Sequence, residues 1–169
     1  MKKLYNGNEV YCTDLVCNLS PTPRDRYQLQ CCLNNIELDP FPLDGGFDVI
    51  EMTEVLEHLH FHPLHTMQKI RSLLNPNGRL YLSTPDAAQW GRTKYYFDLT
   101  DMPHLSGAGP GHLGDACYAD HVYHFDKTEL FELAQAAELK VERCAYSPGV
   151  KLRHFNLTLT LACVSEKYC

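Results

Sequence analysis

The sequence predicts an α/β fold with a mostly parallel sheet and an antiparallel strand at its C-terminal end. Residues 47–52 (FDVIEM) are typical of a buried strand, the stretch from Pro63 to the Asn77-Gly78 stop is typical of an amphipathic helix, and residues 79–84 are typical of the next strand. Such a strand–helix–strand unit implies a right-handed crossover between parallel strands. The alternation of leucine and threonine in residues 157–161 has the period of an antiparallel strand with one buried face.

The composition indicates a single globular domain over residues 1–169, with 44% hydrophobic and 21% charged residues. A net charge of −6 argues against a large nucleic-acid surface. No apolar stretch has the length of a membrane span, and no signal peptide follows the basic start, so a cytoplasmic location without membrane contact is expected. The eight cysteines include no C-x-x-C pair and are expected to be free thiols.

The N-terminal part predicts two short strands before the central unit. Residues 9–14 form the first and end on the carboxylate Asp14, residues 27–33 form the second, and residues 39–46 are a link rich in proline and glycine. After the strand at 47–52, Thr53 is a candidate N-cap for a helix.

A second helix is expected to begin at Pro63 and to end at Asn77-Gly78, with Leu64, Met67, Ile70 and Leu74 on its apolar face. Residues 86–120 show no clear periodicity and are expected to form a loop or lid on the substrate side. Asp126 and Glu129 form a capping-box pattern for a third helix. A strand at 141–146 and a turn at 147–149 complete the order.

Three segments in sequence order, at 44–59, 75–86 and 120–126, resemble class I S-adenosylmethionine-dependent methyltransferases, of the methyltransferase type 11 or type 12 kind. The resemblance implies a Rossmann-like three-layer sandwich and S-adenosylmethionine as cofactor. The family's first strand and its D/E-x-G-x-G-x-G loop should precede Val10, where only nine residues stand, so an N-terminally truncated fold is expected. The glycine run at 107–114 does not replace that loop, because it follows no strand and opens no helix.

In the related fold the first strand lies between the second and the fourth. Three explanations of its absence stay open: the sheet closes directly, another chain fills the gap, or the chain is a truncated product. A partner chain or self-association at an exposed sheet edge is therefore one expectation.

The resemblance assigns cofactor contacts to the ends of three strands. Asp14 would accept hydrogen bonds from the ribose hydroxyls, which a carboxylate with two acceptor oxygens suits. Cys32 and Leu33 lie where the family usually has an aspartate that contacts the adenine amine, so cysteine is a departure. Met52 and Thr53 would line the methionine part of the cofactor; filling the core and capping a helix are their alternative roles.

Glu54, Glu57 and His58 have the spacing i, i+3 and i+4, which a helix would bring to one face. This E-x-x-E-H pattern resembles the metal motif of small-RNA 2′-O-methyltransferases and of some ubiquinone-pathway O-methyltransferases, and His121 matches a further ligand of the RNA enzymes. A divalent ion there would lower the pKa of a substrate hydroxyl. The alternative is that the acids cap the helix and the histidine orients the turn. The neighbouring His60, His62 and His65 are expected to be solvated.

Three functions remain open from the sequence. The first is methyl transfer to a small-molecule acceptor, at a hydroxyl, with His58, His121 or His124 as general base. The aromatic residues of the 86–120 loop would then line the acceptor pocket: Trp90, Tyr95, Tyr96 and Phe97. The second is a non-catalytic methyltransferase-like partner or binding domain. The third is a metal-assisted RNA 2′-O-methyltransferase, which the pI of about 5.8 disfavours.

Overall fold

The computed structural model describes residues 9–15, 29–92, 95–105, 121–148 and 155–163. These residues fall in two compact units, one within 1–44 and the other within 45–169. The described residues of each unit form a sheet, with two strands in the first unit and four in the second. The expectation of a single domain stays a prediction, and the glycine run at 107–114 lies outside the described residues.

The first unit has two parallel strands, β1 (Tyr11–Asp14) and β2 (Gln30–Leu33). Asp14 is directly opposite Leu33, so both strands end at the same edge. The Asn34 N–H continues the ladder by donating to the Asp14 carbonyl at 3.0 Å. Both predicted strands are therefore confirmed, although β1 begins two residues later than expected and residues 27–28 lie outside the described part.

The second unit has a four-stranded sheet in the order β3-β4-β6-β5. β3 (Phe47–Thr53) is parallel to β4 (Leu74–Pro85), and β6 (Phe155–Cys163) runs antiparallel between β4 and β5 (Leu139–Pro148). The α/β class and the antiparallel C-terminal strand are thus confirmed. Among the described strands β3 pairs with β4 alone, so it is an edge of this sheet, and a partner chain there stays a prediction.

The core of this unit follows the predicted periodicity. Leu157, Leu159 and Leu161 on β6 are 0% exposed, and the threonines between them are half-buried. The helices α1 (Leu64–Leu73) and α3 (Lys127–Ala136) contact each other and bury apolar side chains. These are Met67, Ile70, Leu73, Leu130, Leu133 and Ala134. Each large side chain of this kind contributes roughly 1.5–3 kcal/mol on burial.

Helix α1 ends earlier than the sequence suggests, because Leu74 already belongs to β4. Pro76 disfavours helical backbone in the residue before it, and the Gly46 N–H takes up the Leu73 carbonyl at 2.9 Å. Gly78 does not stop the helix but lets two strands approach, since a Cβ there would lie 2.7 Å from the Phe47 carbonyl oxygen.

The helix predicted from Thr53 does not form. Glu54 has a φ of 54°, in the left-handed region, and only a short 3₁₀ helix follows, Leu56–His58. The strand before it is less buried than predicted, since Val49 is 42% exposed on the edge strand and Met52 alone is buried. Tertiary hydrogen bonds of Glu54 outweigh the local helix signal here.

The segment from residue 86 onward has more regular structure than predicted. Its described parts contain the one-turn helix α2 (Ala87–Trp90), capped by Asp86, and a 3₁₀ helix, Leu99–Asp101, capped by Asp98. β5 continues through Pro148, so the turn expected at 147–149 does not begin at residue 147.

The five cysteines in the described residues are free thiols, as predicted: Cys12, Cys31, Cys32, Cys144 and Cys163. In the same part of the chain, no helix combines the length and the apolar character needed to cross a membrane.

Candidate functional site

Titratable side chains of the second unit gather where the parallel strands β3 and β4 end. Thr53 lies opposite Ser83 at this edge, and Pro85 is paired with Asn156 at the start of β6. In open α/β sheets ligands bind outside the carboxyl ends of parallel strands. A functional site is therefore expected at this edge of the sheet.

Glu54 connects three strands rather than joining a metal set. Its Oε1 accepts a hydrogen bond from the Ser83 hydroxyl at 2.7 Å, and its Oε2 accepts one from the Asn156 amide at 2.8 Å. Both carboxylate oxygens are thus engaged at the strand ends. The prediction that Glu54 shares a helix face with Glu57 and His58 is wrong, because the backbone turns at Glu54 and the 3₁₀ helix starts only at Leu56.

Glu57 is a buried acid with one oxygen left unpaired. Its side chain is 0% exposed, and its Oε2 accepts a hydrogen bond from the Thr84 hydroxyl at 3.0 Å. Oε1 has no hydrogen-bond partner among the described residues and lies 3.9 Å from His58 Nε2. Burial raises the pKa of Glu57 to about 7, the charge of Glu54 adds to the rise, and the Thr84 hydrogen bond opposes it. Glu57 is therefore poised between its acid and its carboxylate near neutrality.

The segment 121–125 is fixed beside Glu57 by backbone hydrogen bonds. The N–H groups of Val122 and Tyr123 donate to the Glu57 carbonyl at 2.7 and 3.2 Å. Tyr123 and Phe125 are fully buried and form an edge-to-face pair with ring centroids 4.9 Å apart. This anchoring brings the rings of His121 and His58 to an edge-to-face distance of 4.9 Å between centroids.

Glu57, His58 and His121 form what we call the acid–histidine cluster. Each offers one ligand atom, and these atoms all lie within 4.8 Å of one another. Of the four predicted metal ligands, the structure brings these three together and leaves Glu54 apart. One carboxylate and two imidazoles suit a first-row transition ion, which could also bind the buried Oε1 of Glu57, an atom that accepts no hydrogen bond within the described part of the chain.

A second histidine pair continues from the cluster. His121 Nδ1 lies 2.8 Å from His124 Nε2, and His124 Nδ1 lies 2.6 Å from the Gly91 carbonyl oxygen. Burial lowers the pKa of His124, and the hydrogen bond to Gly91 opposes that shift. The Trp90 ring lies beside both histidines, inclined to their rings, with centroid distances of 6.0 Å to His121 and 6.1 Å to His124.

Arg92 is a structural residue of the site that the sequence did not suggest. Its guanidinium donates to the Tyr123 hydroxyl at 2.7 Å and to the His124 carbonyl at 2.9 Å. It also pairs with Glu129 at 2.8 Å and Asp126 at 3.2 Å, the two residues of the confirmed capping box. These partners are 31 to 37 residues away in sequence, so no local pattern marks Arg92.

The three histidines expected to be solvated have different environments. His65 is exposed as predicted, but His60 is buried at 6% exposure, so that prediction is wrong for His60. His60 lies between the buried Leu59 and Phe61. His62 is half-buried and stacks on His104, with ring centroids 4.6 Å apart.

The predicted cofactor residues lie at strand ends in each unit. In the first unit Asp14 is exposed and opposite Leu33, which is 67% exposed, and Cys32 is half-buried beside it. In the second unit Met52 is 4% exposed and fills the core, while Thr53 is exposed. The structure thus brings Asp14, Cys32 and Leu33 to one edge of their sheet.

A family model described as methyltransferase domain matches residues 7–143. The fold resembles the 1,6-didemethyltoxoflavin N1-methyltransferase of Burkholderia thailandensis, solved with 1,6-didemethyltoxoflavin and S-adenosylhomocysteine (22% identity, TM-score 0.64, 94% of this chain and 62% of that one). It also resembles the N-methyltransferase NodS of Bradyrhizobium japonicum (15% identity, TM-score 0.61, 95% and 76%).

A third similar structure is an O-methyltransferase of neocarzinostatin biosynthesis with S-adenosylhomocysteine and 1,4-dihydroxy-2-naphthoic acid (15% identity, TM-score 0.58, 96% and 44%). This chain spans less than two thirds of the length of that protein and of the Burkholderia enzyme. No curated protein matches the sequence significantly.

Proposed function

Because this chain belongs to the methyltransferase domain family, we propose that it transfers a methyl group from S-adenosylmethionine to a hydroxyl of a small-molecule acceptor. The observation that carries the acceptor side is the acid–histidine cluster at the carboxyl ends of β3 and β4. Ligands of similar proteins support the small-molecule class, since one holds 1,6-didemethyltoxoflavin and another 1,4-dihydroxy-2-naphthoic acid. When bound, S-adenosylmethionine supplies an activated methyl group on its sulfonium.

On the cofactor side, Asp14 would bind the ribose hydroxyls, since its exposed carboxylate can accept from a vicinal diol. The exposed Leu33 opposite Asp14 would pack against the adenine ring, with Cys32 beside it. Met52 is buried, so its backbone rather than its side chain would face the methionine part, together with Thr53.

On the acceptor side, a histidine of the cluster would take the hydroxyl proton as the oxygen–methyl bond forms and the sulfur–methyl bond breaks. His58 and His121 are half-buried and contact one another, and a neutral imidazole has a lone pair that can accept the hydroxyl proton. Positioning of the acceptor contributes much of the remaining rate enhancement. Trp90, 36% exposed next to His121, and Phe97, 84% exposed, offer aromatic surface for a planar acceptor.

Metal assistance is a second candidate mechanism, supported by the buried Oε1 of Glu57, which accepts no hydrogen bond from the described residues. Glu57, His58 and His121 would hold the divalent ion, which would stabilise the deprotonated hydroxyl of the acceptor. Glu54 is not part of this proposed set, because Ser83 and Asn156 engage its carboxylate.

The cofactor proposal is tested by titrating the full chain with S-adenosylhomocysteine in a calorimeter. We expect one-to-one binding that weakens at least about tenfold in Asp14→Ala, since a hydrogen bond to a charged group is worth about 1.5–3 kcal/mol. Asp44→Ala, which removes another exposed carboxylate of the same unit, is the matched control. A folded chain that binds no cofactor would instead support the non-catalytic binding domain.

The acceptor proposal is tested with labelled S-adenosylmethionine and a panel of phenols and catechols. His121→Ala should abolish methyl transfer, whereas His65→Ala, at an exposed position on α1, should not change it. Activity that survives a chelator would assign the role of base to the histidines alone. Activity that is lost in chelator and restored by Mn²⁺ would support the metal-assisted mechanism.

A further inference from the structure

We propose that His124 is a positioning residue that holds His121 in the tautomer with its proton on Nδ1 and its lone pair on Nε2. This inference deepens the proposed function. It rests on that function only for the role of the His121 Nε2 lone pair in methyl transfer. The geometry itself is a chain of two hydrogen bonds, from His121 through His124 to the Gly91 carbonyl.

The Gly91 carbonyl, at one end of these two hydrogen bonds, has a fixed role in hydrogen bonding. A backbone carbonyl can only accept, so at 2.6 Å from Gly91 O the Nδ1 atom of His124 must carry a hydrogen. In the neutral ring Nε2 of His124 then carries the lone pair. That atom lies 2.8 Å from His121 Nδ1, so His121 must donate through Nδ1. The lone pair of a neutral His121 is consequently on Nε2.

The parts that fix this tautomer are themselves well anchored. His124 is buried, with 7% of its surface exposed. Gly91 has a φ of 79°, in the region that favours glycine, and follows directly on α2. The next residue, Arg92, donates to the His124 carbonyl at 2.9 Å, while Gly91 accepts from the His124 ring. Two hydrogen bonds therefore join residues 91–92 to His124, one to its backbone carbonyl and one to its ring.

A fixed tautomer serves both mechanisms proposed for the acid–histidine cluster. As a general base His121 would receive the proton on Nε2, and as a ligand it would bind an ion through the same atom. Histidines that bind metals usually donate their other N–H to a second group, which fixes ring orientation, and loss of that group typically weakens metal binding about 10–100-fold. His124 is in the position of such a group.

The tautomer is measured directly by long-range ¹H–¹⁵N spectra of the imidazole rings in the full chain, at about pH 8, where histidines are neutral. His121→Gln identifies the His121 signals by their loss. We expect His121 and His124 both to be protonated on Nδ1. A His121 ring protonated on Nε2, or one that populates both tautomers equally, would overturn the inference, and this result requires no variant of His124.

Two variants of His124 then test causation. His124→Gln keeps an acceptor and a donor at the end of the side chain and should preserve the Nδ1–H form of His121, whereas His124→Phe should release it. With Co²⁺ as probe, we expect affinity about 10–100-fold weaker in His124→Phe and recovery in His124→Gln. An unchanged His121 tautomer in a folded His124→Phe protein would refute the role of His124.

Failure of the proposed function gives a different pattern. If His121 has the Nδ1–H tautomer and loses it in His124→Phe, but no acceptor is methylated and no Co²⁺ binds to the wild type, His124 still positions His121. That result would support the positioning role of His124 and would refute a role of the acid–histidine cluster in methyl transfer.

Discussion

Replacement of Glu57 by glutamine should stabilise the protein, and increasingly so as the pH rises. Glutamine keeps an acceptor for the Thr84 hydroxyl but cannot ionise. In the folded protein burial raises the pKa of Glu57 from its ordinary value of 4.5 to about 7. Between these values the unfolded chain has released the proton and the folded one has not. Wild-type stability therefore falls as the pH rises through this window, and the full cost is present above about pH 7.

The magnitude follows from the same pKa values. Each pKa unit is worth about 1.4 kcal/mol, so the free energy of unfolding of Glu57→Gln should exceed that of the wild type by about 3 kcal/mol at about pH 8. The two proteins should differ little near pH 4.5. For a chain of 169 residues, 1 kcal/mol shifts Tm by about 2–4 °C, which gives a rise of roughly 6–12 °C.

The assay is thermal unfolding followed by circular dichroism in chelator, from about pH 5 to about pH 8. Glu132→Gln, at an exposed position on α3, controls for the loss of one negative charge and should show the pH dependence of the wild type. If Glu57→Gln and the wild type lose stability in parallel over this range, the burial argument for Glu57 is refuted.

Further predictions concern the fold that supports the site. Leu159→Ala removes a side chain that is 0% exposed and should lower the free energy of unfolding by about 2–5 kcal/mol in urea titrations, with the half-buried Thr160→Ala as a milder control. Gly78→Ala should destabilise by about 1–3 kcal/mol, because the new Cβ would lie 2.7 Å from a carbonyl oxygen; unchanged stability would show that the strands separate freely. Asp126→Ala should cost about 1 kcal/mol and Asp126→Asn much less, since asparagine still accepts from the Glu129 N–H.

The sequence predicted the features that depend on neighbouring residues. The alternation in β6 and the capping box of Asp126 and Glu129 are both confirmed, because period and local hydrogen bonding determine them. The conformation of Glu54 could not be predicted in this way. It depends on Ser83 and Asn156, which are 29 and 102 residues distant in sequence.

In the candidate site, too, some features could be predicted from the sequence and others depend on long-range contacts. The spacing of Glu57 and His58 was visible in the sequence, and the family resemblance suggested His121 as a third member. The link from His124 to Gly91 spans 33 residues and involves a backbone carbonyl, which no side-chain pattern reports. The end of α1 was placed too late for a similar reason, since a long-range contact from Gly46 competes with the helix signal of residues 74–77.

Trp90 gives the site an optical reporter that requires no label. It is the only tryptophan in the chain, and its ring lies 6.0 Å from His121 and 6.1 Å from His124. Excited indole transfers an electron to a nearby imidazolium, and paramagnetic ions also shorten its excited state. The tryptophan fluorescence of the whole protein therefore monitors one place in the molecule. Proton uptake by these histidines, arrival of a metal ion or cover by an aromatic acceptor should each change that emission.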